Sequence, residues 1–78
     1  MQEILNQIER AAKQTLKRAN ITAKVSIIPT ALIFEEIASE ADAKRLEAAF
    51  LNQGMTSLGT CDDNEIGMGP GWSLTIAI

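Results

Sequence analysis

The spacing of apolar residues changes from helical to strand-like early in the chain. Apolar residues recur every four positions from Ile4 to Leu16, which predicts an amphipathic helix over residues 2–19. Asn20 follows, and asparagine readily adopts the left-handed conformation in which helices often end. From residue 21 to 28 every second residue is apolar, so the helix is expected to lead into a strand.

A second strand is predicted directly after the first. Pro29 and Thr30 interrupt the alternation, and residues 31–37 form a new run rich in apolar side chains. The short gap favours an antiparallel hairpin, with a bulge or a wider connection as the alternative to a tight turn. Neighbouring residues of a strand point to opposite faces, so Glu35 and Glu36 are not expected to share one site.

A second helical pattern begins at Ser39, whose short polar side chain suits an N-terminal cap. Apolar residues follow at helical spacing from Ala43 to Phe50. Gly54 suits the residue just beyond a C-terminal end. A helix is therefore expected between Ser39 and Gly54.

The last third of the chain predicts two more strands around a loop. Residues 55–61 carry the weaker strand pattern, and residues 72–78 alternate most clearly. Between them, residues 62–71 hold three of the five glycines. The order α-β-β-α-β-β predicts an α+β fold, a two-layer sandwich with two helices on one face of a four-stranded, mostly antiparallel sheet.

Length and composition favour one small domain over residues 1–78. No apolar run reaches the ~18 residues that a membrane span needs, and no secretory leader pattern is present, so a cytoplasmic protein is expected. The single cysteine, Cys61, excludes an internal disulfide. Small domains without such a crosslink often self-associate, so a homodimer is one expectation.

The chain contains no histidine and no tyrosine. The missing histidine excludes Ser-His-Asp and Cys-His catalysis and histidine-based zinc sites. Cys61 has no neighbouring cation in sequence that would activate a nucleophilic thiol, and it is expected to be a semi-buried packing residue. We therefore expect no enzyme activity and no cofactor.

The loop of residues 62–71 partly matches two kinds of ligand-binding loop, a calcium loop and a phosphate loop. It lacks residues that each of them requires. A calcium loop starting at Asp62 would carry Ile66 at its fifth position and Ser73 at its twelfth, where a bidentate carboxylate is needed. The glycine-rich residues 67–71 lack the lysine of a phosphate loop and lead into a strand instead of a helix. No metal or phosphate site is expected here.

Charge is divided unevenly along the chain. Residues 1–24 carry five basic and two acidic side chains, whereas residues 25–78 carry two basic and eight acidic ones, so the net charges are +3 and −6. The basic cluster of the first helix makes weak nucleic-acid binding one alternative, although no aromatic residues are interleaved with it. Its members are Arg10, Lys13, Lys17 and Arg18.

The excess of acidic residues in positions 25–78 predicts a binding function. If the start of the second helix lies near the last loop, their carboxylates form one surface that attracts basic partners. This profile is similar to that of phage-encoded inhibitors of host defence, including anti-CRISPR and DNA-mimic proteins, although no motif is shared with any family of them. Ordinary acidic solubility explains the same charges equally well.

The leading hypothesis is a non-enzymatic protein-binding module, in its sharpest form a small inhibitor that blocks a nucleic-acid-binding protein. A homo-oligomeric structural or assembly protein is the main alternative. No membrane partner is expected, and direct nucleic-acid binding is the weakest alternative. The residues expected to contact a partner comprise three loop carboxylates, two apolar anchors and two carboxylates at the edge: Asp62, Asp63, Glu65, Met68, Trp72, Glu36 and Glu40.

Overall fold

The structure is a computed structural model and describes residues 2–67 and 69–78. Its described residues form two helices and four strands in the order that the sequence predicts. The elements are α1 (Gln2–Ala19), β1 (Lys24–Ile28), β2 (Ala31–Ile37), α2 (Glu40–Asn52), β3 (Thr56–Asp62) and β4 (Trp72–Ala77).

The helix ends confirm the capping residues that the sequence predicts. Asn20 has a φ of 57°, and the next residue, Ile21, donates its N–H to the carbonyl of Leu16 at 3.0 Å. At the start of α2, the Ser39 hydroxyl accepts the N–H of Asp42 at 3.2 Å. Local side-chain chemistry therefore sets where the helices begin and end.

The sheet has the order β1-β2-β4-β3, and every neighbouring pair is antiparallel. Ile28 pairs with Ala31, so Pro29 and Thr30 alone form a tight turn between β1 and β2. The strands β2 and β4 lie in the centre, and β1 and β3 form the two edges.

The core lies between the sheet and the two helices. Phe34 of β2 and Phe50 of α2 are both fully buried, and their ring centroids lie 5.2 Å apart. Burying each side chain of this size contributes roughly 1.5–3 kcal/mol. The other large side chains that are fully buried are Leu32, Ile37, Leu46, Leu74 and Ile76.

The two helices run antiparallel across the same face of the sheet. Arg45 of α2 donates to the carbonyl of Ala19 at the end of α1, at 3.3 Å. Gln53, just beyond α2, donates to the hydroxyl of Thr15 one turn earlier in α1, at 3.1 Å. Neither helix in the described part of the chain is long and apolar enough to cross a lipid bilayer.

Candidate functional site

The last residues of β2 depart from the regular ladder. The pairing of β2 with β4 shifts between Phe34 and Ile37, so Glu35 and Glu36 together lie opposite the single residue Ser73. Two residues facing one define a β-bulge, which bends a strand and redirects its side chains. This bulge lies inside the sheet because β2 is a central strand.

The backbone of the bulge is strained and tightly packed. Glu36 has a φ of 61°, a left-handed conformation that costs a residue with a Cβ roughly 1–2 kcal/mol. Gly71, with a φ of 108°, lies against it from the β3–β4 loop. A Cβ at Gly71 would lie 3.2 Å from the carbonyl oxygen of Ile37 and 3.3 Å from the Cα of Glu36. Only glycine allows this approach.

The bulge brings Glu35 and Glu36 to one site. The sequence-based expectation that they do not share one site is wrong, because both line the same pocket. Strict alternation of side chains holds only for a regular strand, and the bulge and the positive φ of Glu36 interrupt it.

The pocket has a volume of about 430 Å³ and opens where β2 ends and the β3–β4 loop returns to the sheet. Three of its seven lining residues are acidic, and a proline–glycine pair from the loop is also part of the wall. Its lining residues are Glu35, Glu36, Ile37, Ala38, Asp63, Pro70 and Gly71.

Asp63 is the buried carboxylate of the pocket. Its residue is 8% exposed, and Oδ1 accepts a hydrogen bond from the hydroxyl of Ser73 at 2.9 Å. Its backbone N–H donates to the carbonyl of Gly71 at 3.1 Å. Asp63 therefore joins the two ends of the loop, and the loop carries its charge at a defined place beside Glu35 and Glu36.

The neighbouring Asp62 shapes the loop instead. Its Oδ1 accepts the N–H of Asn64 at 3.0 Å, and its carbonyl accepts the N–H of Glu65 at 3.1 Å. These bonds are the local turn chemistry that aspartate commonly supplies. They direct the chain away from β3 and leave Glu65 exposed.

The carboxylates at this end form no ion pair among the described residues. The three ion pairs in that part of the chain join Lys13 to Glu9, Lys44 to Glu47, and Arg45 to Asp42. Lys24 lies opposite Glu35 in the β1–β2 ladder, and it is outnumbered by the carboxylates. An excess of charges of one sign around a concave surface focuses a negative potential there. The carboxylates concerned, which we call the acidic end, are Glu35, Glu36, Glu40, Asp62, Asp63 and Glu65.

The sheet register explains why residues distant in sequence meet here. Ile37 of β2 and Asp62 of β3 both pair with Trp72, so the three strands end at the same level. Glu36 lies just before this level, and α2 starts at Glu40, a few residues beyond it. The predicted contact residues therefore share one end of the molecule, wherever the structure describes them.

The two apolar anchors expected from the sequence are placed differently. Trp72 is half-buried and packs against the core, which limits what it offers to a partner. Met68 lies outside the described residues. Ile66, which sequence reasoning did not select, is 57% exposed within the acidic loop. Its only sequence signal is an apolar side chain among the turn residues Asn64 and Gly67.

The remaining candidates lie away from the acidic end or offer little chemistry. The four basic residues of α1 are exposed, and the Nζ of Lys13 lies 3.0 Å from Oε1 of Glu9. Cys61 is half-buried on β3 with a free thiol. Within residues 2–67 and 69–78, no group of three or more His, Cys, Asp or Glu side chains is arranged to hold a metal ion.

No family model, curated protein or solved structure matches this chain. Its function is therefore inferred from the charge, shape and packing of the acidic end alone.

Proposed function

We propose that this chain is a non-enzymatic binding module whose acidic end receives a basic segment of a partner protein. The observation that carries the proposal is the pocket of about 430 Å³, which is lined by Glu35, Glu36 and Asp63. None of these carboxylates forms an ion pair within the described residues. A cationic side chain supplied by a partner would complete the site.

The pocket suits the end of an arginine or lysine side chain. Small-ligand sites typically range over roughly 300–1,000 Å³, so this volume accommodates one long side chain with part of its neighbours. The planar guanidinium of arginine makes paired hydrogen bonds to carboxylates, which favours arginine over lysine here. Glu35 and Glu36 are less buried than Asp63 and are therefore more accessible to a partner.

In its narrowest form the proposal is an inhibitor of a nucleic-acid-binding protein. Proteins bind phosphates through clustered arginine and lysine side chains, and a cluster of carboxylates is attractive to the same surface. Glu40, Asp62 and Glu65 would widen the contact beyond the pocket. The charge and size of the chain agree with the profile of small phage-encoded inhibitors.

A peptide titration tests the pocket directly. We expect an arginine-rich peptide to shift the backbone amide resonances of residues 35–38, 63, 69 and 71 before those of any other region. Affinity should fall about tenfold between about 50 mM and 300 mM salt, because the contact is electrostatic and screened. A neutral peptide of equal length, with glutamine for arginine, should cause no shifts.

Isosteric variants provide the matched comparison. Glu35→Gln with Glu36→Gln removes two pocket charges without changing side-chain size, and we expect peptide affinity to fall about tenfold. Glu3→Gln with Glu9→Gln removes the same number of charges from α1, outside the pocket, and should leave affinity unchanged. Equal losses in both variants would show attraction to net charge only, and no loss in either would overturn the proposal.

A further inference from the structure

The directions of the two edge strands allow one copy of the chain to pair with the next. Because all four strands alternate, β1 and β3 run in opposite directions at opposite edges. A second copy placed beside the first by simple translation therefore brings its β3 antiparallel to β1. Its helices then lie on the same side of the extended sheet. Unpaired edge strands are common points of association between chains.

The edge at β1 is basic. Lys24 starts the strand and is exposed. Thr15 of α1 accepts a hydrogen bond from Gln53 at the end of α2, so this side of α1 faces α2. Lys13 and Lys17 lie two residues before and after Thr15, about 160° around the helix, on the flank away from α2. Both are exposed.

The edge at β3 is acidic. Glu47 of α2 accepts a hydrogen bond from the hydroxyl of Ser57, so its carboxylate lies directly over this edge strand. Glu40 precedes Glu47 by seven residues and so lies on the same flank of α2. Asp62 ends β3. Lys44 lies 3.8 Å from Glu47 and offsets only part of this charge.

These charges select one pairing of edges. Two β1 edges would place the lysines of each copy together, and two β3 edges would do the same with the carboxylates. Like charges across an interface are unfavourable, whereas opposite charges favour association and set its register. We infer that copies of this chain associate head to tail, with β1 of one copy against β3 of the next.

The levels of the charged residues along the edges agree with this arrangement. Lys24 starts β1 at the sheet end where Asp62 closes β3. The antiparallel helices place Lys17 near the level of Glu47, since Ala19 lies beside Arg45. The two edges therefore carry opposite charges at matching heights.

Each edge strand also carries an exposed apolar side chain that a second copy could cover. Ile28 at the end of β1 is 44% exposed, and Leu58 of β3 is 64% exposed. The bulge between Ser57 and Gly59 confines the uninterrupted pairing of β3 to residues 59–62, so the contact is short. An interface below ~1,200 Å² supports weak, concentration-dependent association. Because the two surfaces differ, each added copy leaves a free edge and assembly continues beyond a dimer.

Analytical ultracentrifugation of the full chain at low salt tests this inference. We expect the mean mass to rise steadily with concentration and to fall when salt is raised. Lys17→Glu and Glu47→Lys should each weaken association about tenfold. Mixing these two variants in equal amounts should restore it, because each then supplies the opposite charge that the other lacks.

Two further variants keep the test decisive. Arg18→Glu makes the same change in net charge as Lys17→Glu but lies on another flank of α1, and it should assemble as the unaltered chain does. Leu58→Lys changes an exposed side chain, so the fold should persist while association is lost. A chain that stays monomeric at all concentrations, stops at a dimer, or is weakened equally by Arg18→Glu would overturn the inference.

The variants also separate this inference from the proposed function. Lys17 and Glu47 lie outside the pocket, so neither is expected to alter peptide binding. Conversely, Glu35→Gln with Glu36→Gln should leave self-association unchanged.

Discussion

The sheet contains two bulges, and they differ in position and in surroundings. The bulge at Glu35 and Glu36 lies in the central strand β2, with Gly71 packed against its backbone. The bulge between Ser57 and Gly59 lies in the edge strand β3, and a Cβ at Gly59 would meet nothing within 4 Å. The central bulge forms a pocket, whereas the edge bulge shortens the surface available for strand pairing.

The hydrogen bonds at the central bulge are more buried than those at the edge bulge. At the central bulge, Ser73 donates to Asp63, a carboxylate that is almost fully buried. At the edge bulge, the Ser57 hydroxyl donates to Glu47 and accepts the exposed N–H of Gly59 at 3.0 Å. Water can replace the second set of bonds more readily than the first. In this sheet the central bulge is held by close packing and a buried hydrogen bond, and the edge bulge by hydrogen bonds that water reaches.

The largest expected difference between the bulges concerns their glycines. Gly71→Ala should lower the free energy of unfolding by about 3 kcal/mol, because the left-handed strain adds to a close contact with Ile37 and Glu36. Gly59→Ala has the strain but open space, so about 1 kcal/mol is expected. Urea denaturation of both variants measures these values. Equal losses would mean that the close approach at Gly71 contributes nothing.

Removing the serine hydroxyl at each bulge should also destabilise the central bulge more than the edge bulge, by a smaller margin than the glycine substitutions. Ser73→Ala leaves a buried carboxylate without its donor and should cost about 1–2 kcal/mol. Ser57→Ala should cost about 0.5 kcal/mol, since water reaches the groups it leaves. The same denaturation experiment applies, and a larger loss for Ser57→Ala would contradict the proposed contrast.

The smallest effect is a gain in stability. Glu36→Gly relieves the left-handed strain of the central bulge and should raise the free energy of unfolding by about 0.5–1 kcal/mol. The edge counterpart, Leu58→Ser, changes a side chain that is mostly exposed and should stay within about 0.5 kcal/mol of the unaltered chain. A rise in melting temperature for the first variant alone is the expected result. Destabilisation by Glu36→Gly would show that its carboxylate stabilises the fold.

Much of the fold is readable from local sequence. Asn20, Ser39 and Gly54 mark helix ends because their backbone or side-chain preferences act within one turn of the chain. The alternation in β4 predicts its buried face for the same reason. The unequal distribution of charge is likewise a property of the sequence alone.

The pocket could not be read in this way. Glu35 and Glu36 share it because β2 has one extra residue against β4, and Gly71 packs against that bulge from a loop more than thirty residues away. Periodicity assumes a regular strand, so it assigned the two glutamates to opposite faces. Trp72 is the opposite case, because the alternation of residues 72–78 places it on the same face as Leu74 and Ile76, and it packs against the core as that pattern favours.

The elements, their order and the sign of the charge in each half can be predicted from the chain, because they follow from local preferences and composition. Which carboxylates meet, which one is buried and where the two edges carry opposite charge become clear only in the folded protein. A bulge, a strand register and a helix orientation are chosen by contacts between distant segments.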